Sequence, residues 1–269
     1  MDLQLKDKVA LVTGSSAGIR RAIADALAAE GAHVIVHGRS IERLDKARDE
    51  IAEAGGKVSK VNGDLGTDDN AAAVVAQVRE LGLSPDILVN NAGVYDYATW
   101  EDVTTEEWEK TLNVDVLSAV RLIQAFLPDM KARGWGRILQ IGSGTGQQPF
   151  PTIPQYGALK AAMTNMTVSL ARHLKGTGVL TNVLTPGLIY SESVEKYFRH
   201  YQEQQGYDWG ESWEDIEKGV TTDYLPNDTE KLGTVEEVAY VAAVMVSPRA
   251  SFVSGANWRV DGGSTVGIN

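Results

Sequence analysis

Residues 8–31 read KVALVTGSSAGIRRAIADALAAEG, and this stretch decides the fold. The apolar run that begins at Val9 is typical of a short buried strand, and Gly14 ends it in a turn. A helix follows, because alanine, isoleucine and leucine recur at helical spacing until Gly31 stops the pattern. A glycine turn between a strand and a helix directs free backbone N–H groups, and the positive end of the helix dipole, toward a bound phosphate. The stretch therefore predicts a phosphate-binding βα unit.

The same alternation of strands and helices continues along the chain. Further strand-like runs are HVIVHG, KVSKVNGD, DILVNNAG, GRILQIGSG, VLTNVLTPG and ANWRVDGG, and helical patterns separate them. The run at 86–93 is very apolar, as expected of a strand that is buried on both faces. Capping boxes, Thr104 with Glu107 and Thr234 with Glu237, open two of the helices. The sequence predicts a single α/β domain over residues 1–269, with a Rossmann-like, doubly wound, mostly parallel seven-stranded sheet and helices on both faces.

The composition limits the classes of function. The 36 acidic and 25 basic residues give a net charge of −11, which disfavours nucleic acid as a partner. Cysteine is absent, so disulfides and thiolate chemistry are excluded, and the four histidines lack the spacing of metal ligands. No apolar run approaches the roughly 20 residues that span a bilayer, and the N-terminus lacks the layout of a signal peptide. We therefore expect a cytoplasmic protein without a metal site and without a membrane partner.

Several motifs resemble those of one family. TGSSAGIR at 13–20 resembles the Thr-Gly-x-x-x-Gly-x-Gly loop of the short-chain dehydrogenase/reductase family. NNAG at 90–93 resembles the end of that family's fourth strand, and Pro186 with Gly187 resembles the turn that holds the nicotinamide carboxamide. The resemblance extends over almost the whole chain. It implies a nicotinamide-dependent oxidoreductase that acts on a small-molecule carbonyl or alcohol and assembles as a homo-oligomer, a tetramer or a dimer.

The family's catalytic tetrad of Asn, Ser, Tyr and Lys corresponds to Asn113, Ser143, Tyr156 and Lys160. Tyr156 and Lys160 are four residues apart and share one helix face, which an apolar stripe beginning at Met163 continues inward. A positive charge beside a phenol stabilises the phenolate and eases proton exchange at neutral pH. We therefore predict that Tyr156 is the general acid and base and that Ser143 donates to the carbonyl oxygen. By resemblance, Asn113 holds a water that links Lys160 to solvent.

The resemblance also implies a set of residues that contact the cofactor. They are Gly14, Ser16, Gly18, Ile19, Arg39, Ser40, Asp64, Leu65, Asn91, Ala92, Gly93, Tyr156, Lys160, Pro186, Gly187, Ile189 and Ser191. An acidic residue at the end of the second strand would bind the ribose 2′-hydroxyl of NAD and repel a 2′-phosphate. Here the strand is followed by Arg39, which can pair with a phosphate, and by Ser40. The sequence therefore predicts NADP(H) rather than NAD(H), although Ala17 stands where the family often carries a basic residue.

Arg20 stands where the family has the third glycine of its phosphate loop. We expect the Arg20 side chain to extend along the surface to solvent. The alternative is that its guanidinium helps to hold a cofactor phosphate.

Residues 188–232 are predicted to be an irregular insertion, longer than an ordinary connection, and the resemblance makes it a mobile lid over the substrate. Its eight aromatic residues are Tyr190, Tyr197, Phe198, Tyr201, Tyr207, Trp209, Trp213 and Tyr224. They either pack within the lid or in a subunit contact, or they form an apolar substrate pocket together with Tyr95 and Gln148. Between Tyr190 and Lys231, eleven acidic and four basic residues give a local charge of −7, which argues against an acidic carrier protein as substrate.

Three functions remain open from the sequence. The preferred one is an NADP(H)-dependent carbonyl reductase or alcohol dehydrogenase. The second is an NAD-dependent dehydrogenase of sugars or steroids. The third is a dinucleotide-binding sensor without catalysis, against which the complete tetrad argues.

Overall fold

Seven parallel strands form one sheet in the order β3-β2-β1-β4-β5-β6-β7. The computed structural model describes residues 2–91, 93 and 97–266. Within this part of the chain the strands are β1 (Val9–Val12), β2 (His33–Gly38), β3 (Lys57–Asn62), β4 (Ile87–Asn90), β5 (Gly136–Ile141), β6 (Val179–Pro186) and β7 (Asn257–Val260). The predicted doubly wound sheet is confirmed. The strand order reverses between β1 and β4, so a crevice opens at the carboxyl ends of these two strands.

Helices cover both faces of the sheet. The α-helices of the described residues are α1 (Gly18–Ala29), α2 (Ile41–Glu53), α3 (Asp68–Glu80), α4 (Thr105–Thr111), α5 (Ser118–Arg133), α6 (Pro154–His173), α7 (Glu192–Gln205), α8 (Trp213–Gly219) and α9 (Val235–Val246). Both predicted capping boxes are confirmed: the hydroxyls of Thr104 and Thr234 each accept a bond from a backbone N–H three residues on, at 3.2 Å. None of the helices in the described ranges is both long and apolar enough to cross a membrane.

The core has two halves because alternate residues of a strand face opposite sides of the sheet. Val12 of β1 packs with Ile23 of α1 and with residues of α9 on one side. Leu11 points to the other side, where it packs with Phe126 of α5 and Val74 of α3. All five residues are almost completely inaccessible to solvent. This double coverage explains why the central strands β1, β2 and β4 are mostly apolar.

The helix that begins after Thr104 is not continuous. A π-helical turn (Leu112–Leu117) separates α4 from α5 and packs against α6. A π-turn carries one extra residue, so it changes which side chains face inward, and such turns are frequent at functional sites. Here it buries Asp115 completely.

The prediction that residues 188–232 are irregular is wrong, since most of the segment is helical. Helices α7 and α8 and a second π-helical turn (Val220–Tyr224) occupy it. Ser191 and Ser212 cap the two α-helices by accepting backbone N–H bonds. Phe198, Ile216 and other side chains form a small core of their own, with the aromatic rings packed around it. Aromatic residues thus supply the apolar face that fixes these helices.

Candidate active site

The loop between β1 and α1 has a backbone conformation that favours glycine. Gly14 and Gly18 have φ angles of +67° and +61°. Hydrogen bonds from the N–H of Gly14 to His37 Nδ1, at 3.2 Å, and from the N–H of Ser15 to the His37 carbonyl, at 2.8 Å, tie the loop to the end of β2. Helix α1 starts without a side-chain cap from Ala17. Its first N–H groups are therefore oriented toward an anion at the loop.

Beside this loop lies a cavity of about 370 Å³ that we call the cofactor cleft. It is lined by Gly14, Ser16, Ala17, Arg20, His37, Gly38, Arg39, Ser40, Arg43, Gly63, Asp64, Leu65, Gly93 and Val114. Three guanidinium groups face one carboxylate in this lining, so the cleft favours an anionic ligand. The structure thus brings together seven of the predicted cofactor residues.

Arg39 and Arg43 are the basic groups at the outer end of the cleft. The Arg39 side chain is 72% exposed, and its guanidinium lies 3.9 Å from the Asp64 carboxylate. So long and exposed an ion pair is weak, which leaves Arg39 able to reach a phosphate. Arg43 was not predicted from the sequence. Its backbone N–H donates to the Ser40 hydroxyl, at 3.4 Å, in the first turn of α2. A serine that caps a helix three residues before an arginine is the sequence signal that could have placed Arg43 at this cleft.

Arg20 lies across the phosphate loop. A Cβ added to Gly14 would approach Arg20 Nη1 to 2.9 Å, so the guanidinium covers this glycine and lines the cleft. Arg20 is partly exposed where it lies over the loop, and its extension to solvent stays a prediction. Contact with a cofactor phosphate stays a prediction.

Tyr156 and Lys160 lie on the inward face of α6. Lys160 is only 3% exposed, and its ammonium donates a hydrogen bond to the Ile141 carbonyl at the end of β5, at 3.1 Å. The ammonium is 5.3 Å from the centroid of the Tyr156 ring and 3.5 Å from Asp115 Oδ2. The predicted inward orientation of this helix face is confirmed. A buried cation thus stands beside the phenol.

Ser143 follows β5 by two residues and faces the same space as Tyr156. Its hydroxyl accepts hydrogen bonds from the backbone N–H and the hydroxyl of Thr145, at 3.3 and 2.9 Å. Ser143 and Tyr156 line one cavity, so the structure brings these two predicted residues together. Because Thr145 donates to the Ser143 hydroxyl oxygen, the hydroxyl proton of Ser143 can be donated to a ligand.

Asn113 does not turn its side chain toward Lys160. Its amide nitrogen donates to the Glu109 carbonyl, at 2.9 Å, and its amide oxygen accepts from Arg121, at 3.0 Å. The side chain that faces Lys160 is Asp115, two residues later in the same LNVDV stretch. The role predicted for Asn113 therefore gains no support from these contacts and stays a prediction.

The remaining predicted cofactor residues are distributed around the sheet edge. The Asn91 N–H donates to the Thr13 hydroxyl, at 2.8 Å, which ties the ends of β4 and β1 together. Pro186 and Gly187 line the cavity of Tyr156, and a Cβ on Gly187 would lie 2.7 Å from the Asp261 Cα, so only glycine fits there. Ala92, like Tyr95 of the predicted substrate pocket, lies outside the described residues.

Three other predicted cofactor residues line neither cavity. Ile19 packs against the apolar core beside β1. Ile189 is buried and forms an isolated parallel bridge with Gly233. The Ser191 hydroxyl caps α7 by accepting the N–H of Val194, at 3.2 Å.

The cavity that contains Ser143 and Tyr156 has a volume of about 380 Å³, and we call it the lid cavity. Tyr197, Phe198 and Tyr224 of the segment 188–232 cover it. Gln148 also lines it, as predicted, and so do residues that the sequence did not single out, namely Tyr97, Phe150 and Thr265. Among the described residues, no Asp, Glu, Lys or Arg lines this cavity.

The lid aromatics divide into two groups, one that lines the lid cavity and one that packs within the lid, and a role in substrate binding stays a prediction. Tyr197 stacks on Tyr97, at a centroid distance of 5.5 Å, within the wall of the lid cavity. Tyr207 and Trp209 stack on each other at 4.6 Å and pack inside the lid. Burial raises the pKa of Tyr224 well above its usual value, so this hydroxyl stays protonated in the cavity wall.

An anion-binding cleft beside a Tyr–Lys pair at the carboxyl edge of a parallel sheet is the arrangement of a Rossmann-type oxidoreductase. Comparison with known proteins agrees. Residues 8–202 match the family model described as short chain dehydrogenase. The uncharacterized oxidoreductase YvrD of Bacillus subtilis is 39% identical over 263 residues, which cover 98% of each chain.

Two solved structures are similar over nearly the whole chain. The L-sorbose reductase of Gluconobacter frateurii, solved with NADPH and L-sorbose, is 33% identical, covers 100% of both chains and superposes with a TM-score of 0.91. A 3-oxoacyl-(acyl-carrier-protein) reductase of Agrobacterium tumefaciens with bound NADP is also 33% identical, with a TM-score of 0.85 over 97% of this chain and 96% of that one. The chain belongs to the short-chain dehydrogenase/reductase family.

The buried His37 behind the glycine loop makes stability depend on pH. Burial lowers the pKa of His37 from 6.5 to about 4, so the ring stays neutral in the folded protein while an unfolded chain protonates it. Unfolding therefore takes up a proton between these two values, and the free energy of unfolding falls as the pH falls through the window. We expect His37→Asn to reduce this slope by up to about 1.4 kcal/mol per pH unit.

Urea unfolding at a series of pH values between 6.5 and 4 measures this slope. His173→Asn is the matched control, because His173 is exposed at the end of α6. A His37→Asn slope equal to that of the unsubstituted protein would contradict the prediction.

Proposed function

We propose that this chain is an NADP(H)-dependent reductase of uncharged ketones that also oxidises the corresponding secondary alcohols. The observation that carries the proposal is the lid cavity. It joins the hydroxyls of Ser143 and Tyr156 to a described lining that contains apolar, aromatic and hydroxyl groups and no charged side chain. Such a cavity suits a neutral carbonyl compound.

The residues of the cofactor cleft fit NADP(H). The loop with Gly14 and Gly18 offers backbone N–H groups to a pyrophosphate, and Arg20, Arg39 and Arg43 add positive charge for phosphate groups. The NADPH and NADP held by the two solved relatives support this choice. Bound NADPH supplies the hydride that reduces the substrate carbonyl carbon. Preference for NADP(H) over NAD(H) rests on the exposed guanidinium of Arg39 and on the absence of an acid at the end of β2.

The roles of the chain's own groups follow from their positions. Ser143 donates its hydroxyl proton to the carbonyl oxygen and orients it. Tyr156 gives its phenolic proton to that oxygen as negative charge develops there, and it takes the proton back during alcohol oxidation. The Lys160 ammonium, held by the Ile141 carbonyl, stabilises the phenolate that remains.

The choice of an uncharged substrate follows from desolvation. A carboxylate that enters the lid cavity loses water and meets no cation in the described lining. The cationic groups of Arg20, Arg39 and Arg43 line the cofactor cleft and are absent from the described lining of the lid cavity. The similarity to an L-sorbose reductase, whose ligand is a neutral ketose, agrees with this choice. Substrates carried on an acidic protein are further disfavoured by the local charge of −7 between Tyr190 and Lys231.

The direct test compares two ketones that differ in charge and by one ester methyl group. With NADPH, we expect kcat/KM for methyl acetoacetate to exceed that for acetoacetate by at least about tenfold, because only the acid loses the hydration of a charge on entering the cavity. Loss of absorbance at 340 nm measures both rates. Equal rates for the two ketones would contradict the uncharged-substrate proposal.

The same assay tests the catalytic assignment. Tyr156→Phe keeps the ring and removes only the proton donor, so the rate falls by about 10²–10⁴-fold. NADPH fluorescence is the control, since the variant still binds the cofactor. No turnover by the unsubstituted protein with either NADPH or NADH, despite binding, would instead favour a non-catalytic sensor.

Arg39 is the residue to test for cofactor preference. Arg39→Asp places a carboxylate where a 2′-phosphate would bind, so we expect the ratio of kcat/KM for NADPH to that for NADH to fall by about 100-fold. Arg48→Asp is the matched control, since Arg48 lies further along α2 and does not line the cofactor cleft. An unchanged ratio in Arg39→Asp would remove the assignment, and preference for NADH by the unsubstituted protein would favour an NAD-dependent dehydrogenase.

Assembly as a homo-oligomer and a cytoplasmic location stay predictions from the sequence. Size-exclusion chromatography with light scattering tests the first.

A further inference from the structure

A glutamine side chain lines the lid cavity with its carboxamide held in one orientation. Gln148 Oε1 accepts a hydrogen bond from the backbone N–H of Val266, at 3.1 Å. A backbone N–H can pair only with the oxygen of a carboxamide, so this contact fixes which end is the oxygen and which is the nitrogen. The Nε2 group is turned away from Val266, and within the described residues it has no hydrogen-bond partner. Its N–H groups are thus available to a ligand.

The residues just before Val266 are themselves held in place. Arg259 Nη1 donates to the Thr265 carbonyl, at 2.9 Å. Thr265 is only 8% exposed, and a Cβ on Gly144 would lie 3.1 Å from its hydroxyl oxygen. The end of the described chain therefore packs against the turn that follows β5, and the Val266 N–H reaches Gln148 from a fixed position.

The turn after β5 also fixes Gln148 relative to Ser143. The N–H of Gly146 donates to the Ser143 carbonyl, at 3.0 Å. The N–H of Gln148 donates to the Gly144 carbonyl, at 2.8 Å. The turn packs tightly on α6, since a Cβ on Gly146 would lie 2.9 Å from the Ala161 nitrogen. The glutamine is therefore held both to the serine and to the helix of the reacting phenol.

A free amide donor in the cavity wall discriminates between substrates. A substrate that fills the cavity displaces the water around the Nε2 group, and a donor left without an acceptor costs free energy. An oxygen of the substrate that accepts from Nε2 removes this cost, whereas a hydrocarbon chain at the same place does not. The cavity wall thus favours a ligand with an oxygen opposite Gln148.

We propose that Gln148 determines specificity by donating a hydrogen bond from Nε2 to a second, uncharged oxygen of the substrate. Ser143 and Tyr156 meanwhile bind the reacting carbonyl oxygen. The proposal rests on the proposed function and names its substrate class. These substrates are ketones with a nearby ester, ether or hydroxyl oxygen, and plain hydrocarbon ketones are poor substrates.

Gln148→Met tests the proposal, because it keeps the length of the side chain and removes the donor. Two ketones of equal chain length serve as probes: methyl acetoacetate carries ester oxygens, and 2-hexanone carries none. We expect the ratio of kcat/KM for methyl acetoacetate to that for 2-hexanone, measured with NADPH, to fall about tenfold in the variant. Comparison with the same ratio in the unsubstituted enzyme cancels the different intrinsic reactivities of the two ketones.

Gln148→Glu separates donation to the substrate from support of the chain near Val266. Glutamate keeps an oxygen for the Val266 N–H and has no N–H to donate, so we expect the ratio to fall in this variant as well. Gln147→Met is the matched control and is expected to leave the ratio unchanged. Gln147 is the exposed neighbour of Gln148 and does not line the lid cavity.

A Gln148→Glu ratio equal to that of the unsubstituted enzyme overturns the proposal, and so does an equal loss of rate on both ketones in Gln148→Met. If Gln148→Met does not fold, Gln148→Glu decides by itself.

Binding provides a readout without turnover. The complex of the enzyme with NADP⁺ cannot reduce a ketone, so calorimetric titration of this complex measures affinity alone. We expect both Gln148 variants to bind methyl acetoacetate about tenfold more weakly and 2-hexanone no more weakly than the unsubstituted enzyme does. Unchanged affinity for methyl acetoacetate overturns the proposal. An enzyme that reduces no ketone contradicts the proposed function instead, and this titration still tests Gln148.

Discussion

A positive charge held inside the protein is the constraint on which the site depends. The Lys160 ammonium is almost inaccessible to water, so the fold has to supply its partners. The Ile141 carbonyl, the last of β5, accepts a hydrogen bond from this ammonium. The π-turn before α5 places the Asp115 carboxylate beside it. The Ile141 carbonyl is placed by the register that pairs β5 with β4 and β6. Because α6 crosses this edge of the sheet, the phenol four residues before the lysine comes to the mouth of the lid cavity.

Two cavities with different electrostatics lie at the carboxyl edge of the sheet. The cofactor cleft carries three guanidinium groups and one carboxylate, as suits a ligand with several phosphates. The described lining of the lid cavity carries no such charge, although it contains many hydroxyls. Tyr224 belongs to this pattern, because burial raises its pKa and keeps its hydroxyl neutral. In the proposed function, the cofactor cleft binds the phosphate groups and the lid cavity binds a neutral carbonyl compound.

Most of the fold could be predicted from the sequence, because strands and helices are indicated by patterns within short stretches of residues. HVIVHG and VLTNVLTPG mark β2 and β6 almost to the residue, since short runs rich in β-branched and apolar residues that end at a glycine indicate strands. The lid helices were missed because large aromatic side chains, rather than an aliphatic stripe, form their apolar face. The sequence predicted the part of the site in which the spacing of two residues places them on the same face of a helix, as for Tyr156 and Lys160. Asp115 was missed because a π-turn shifts the inward face by one residue, which no helical period reveals.

The central claim is that hydride passes to a carbonyl carbon while the chain's own phenol supplies the proton. Reduction of methyl acetoacetate with NADPH deuterated at the transferred position tests this most directly. Mass spectrometry of the product is expected to find one deuterium on the carbinol carbon, and Tyr156→Phe is expected to form this product about 10²–10⁴-fold more slowly. An alcohol product without deuterium would contradict direct hydride transfer.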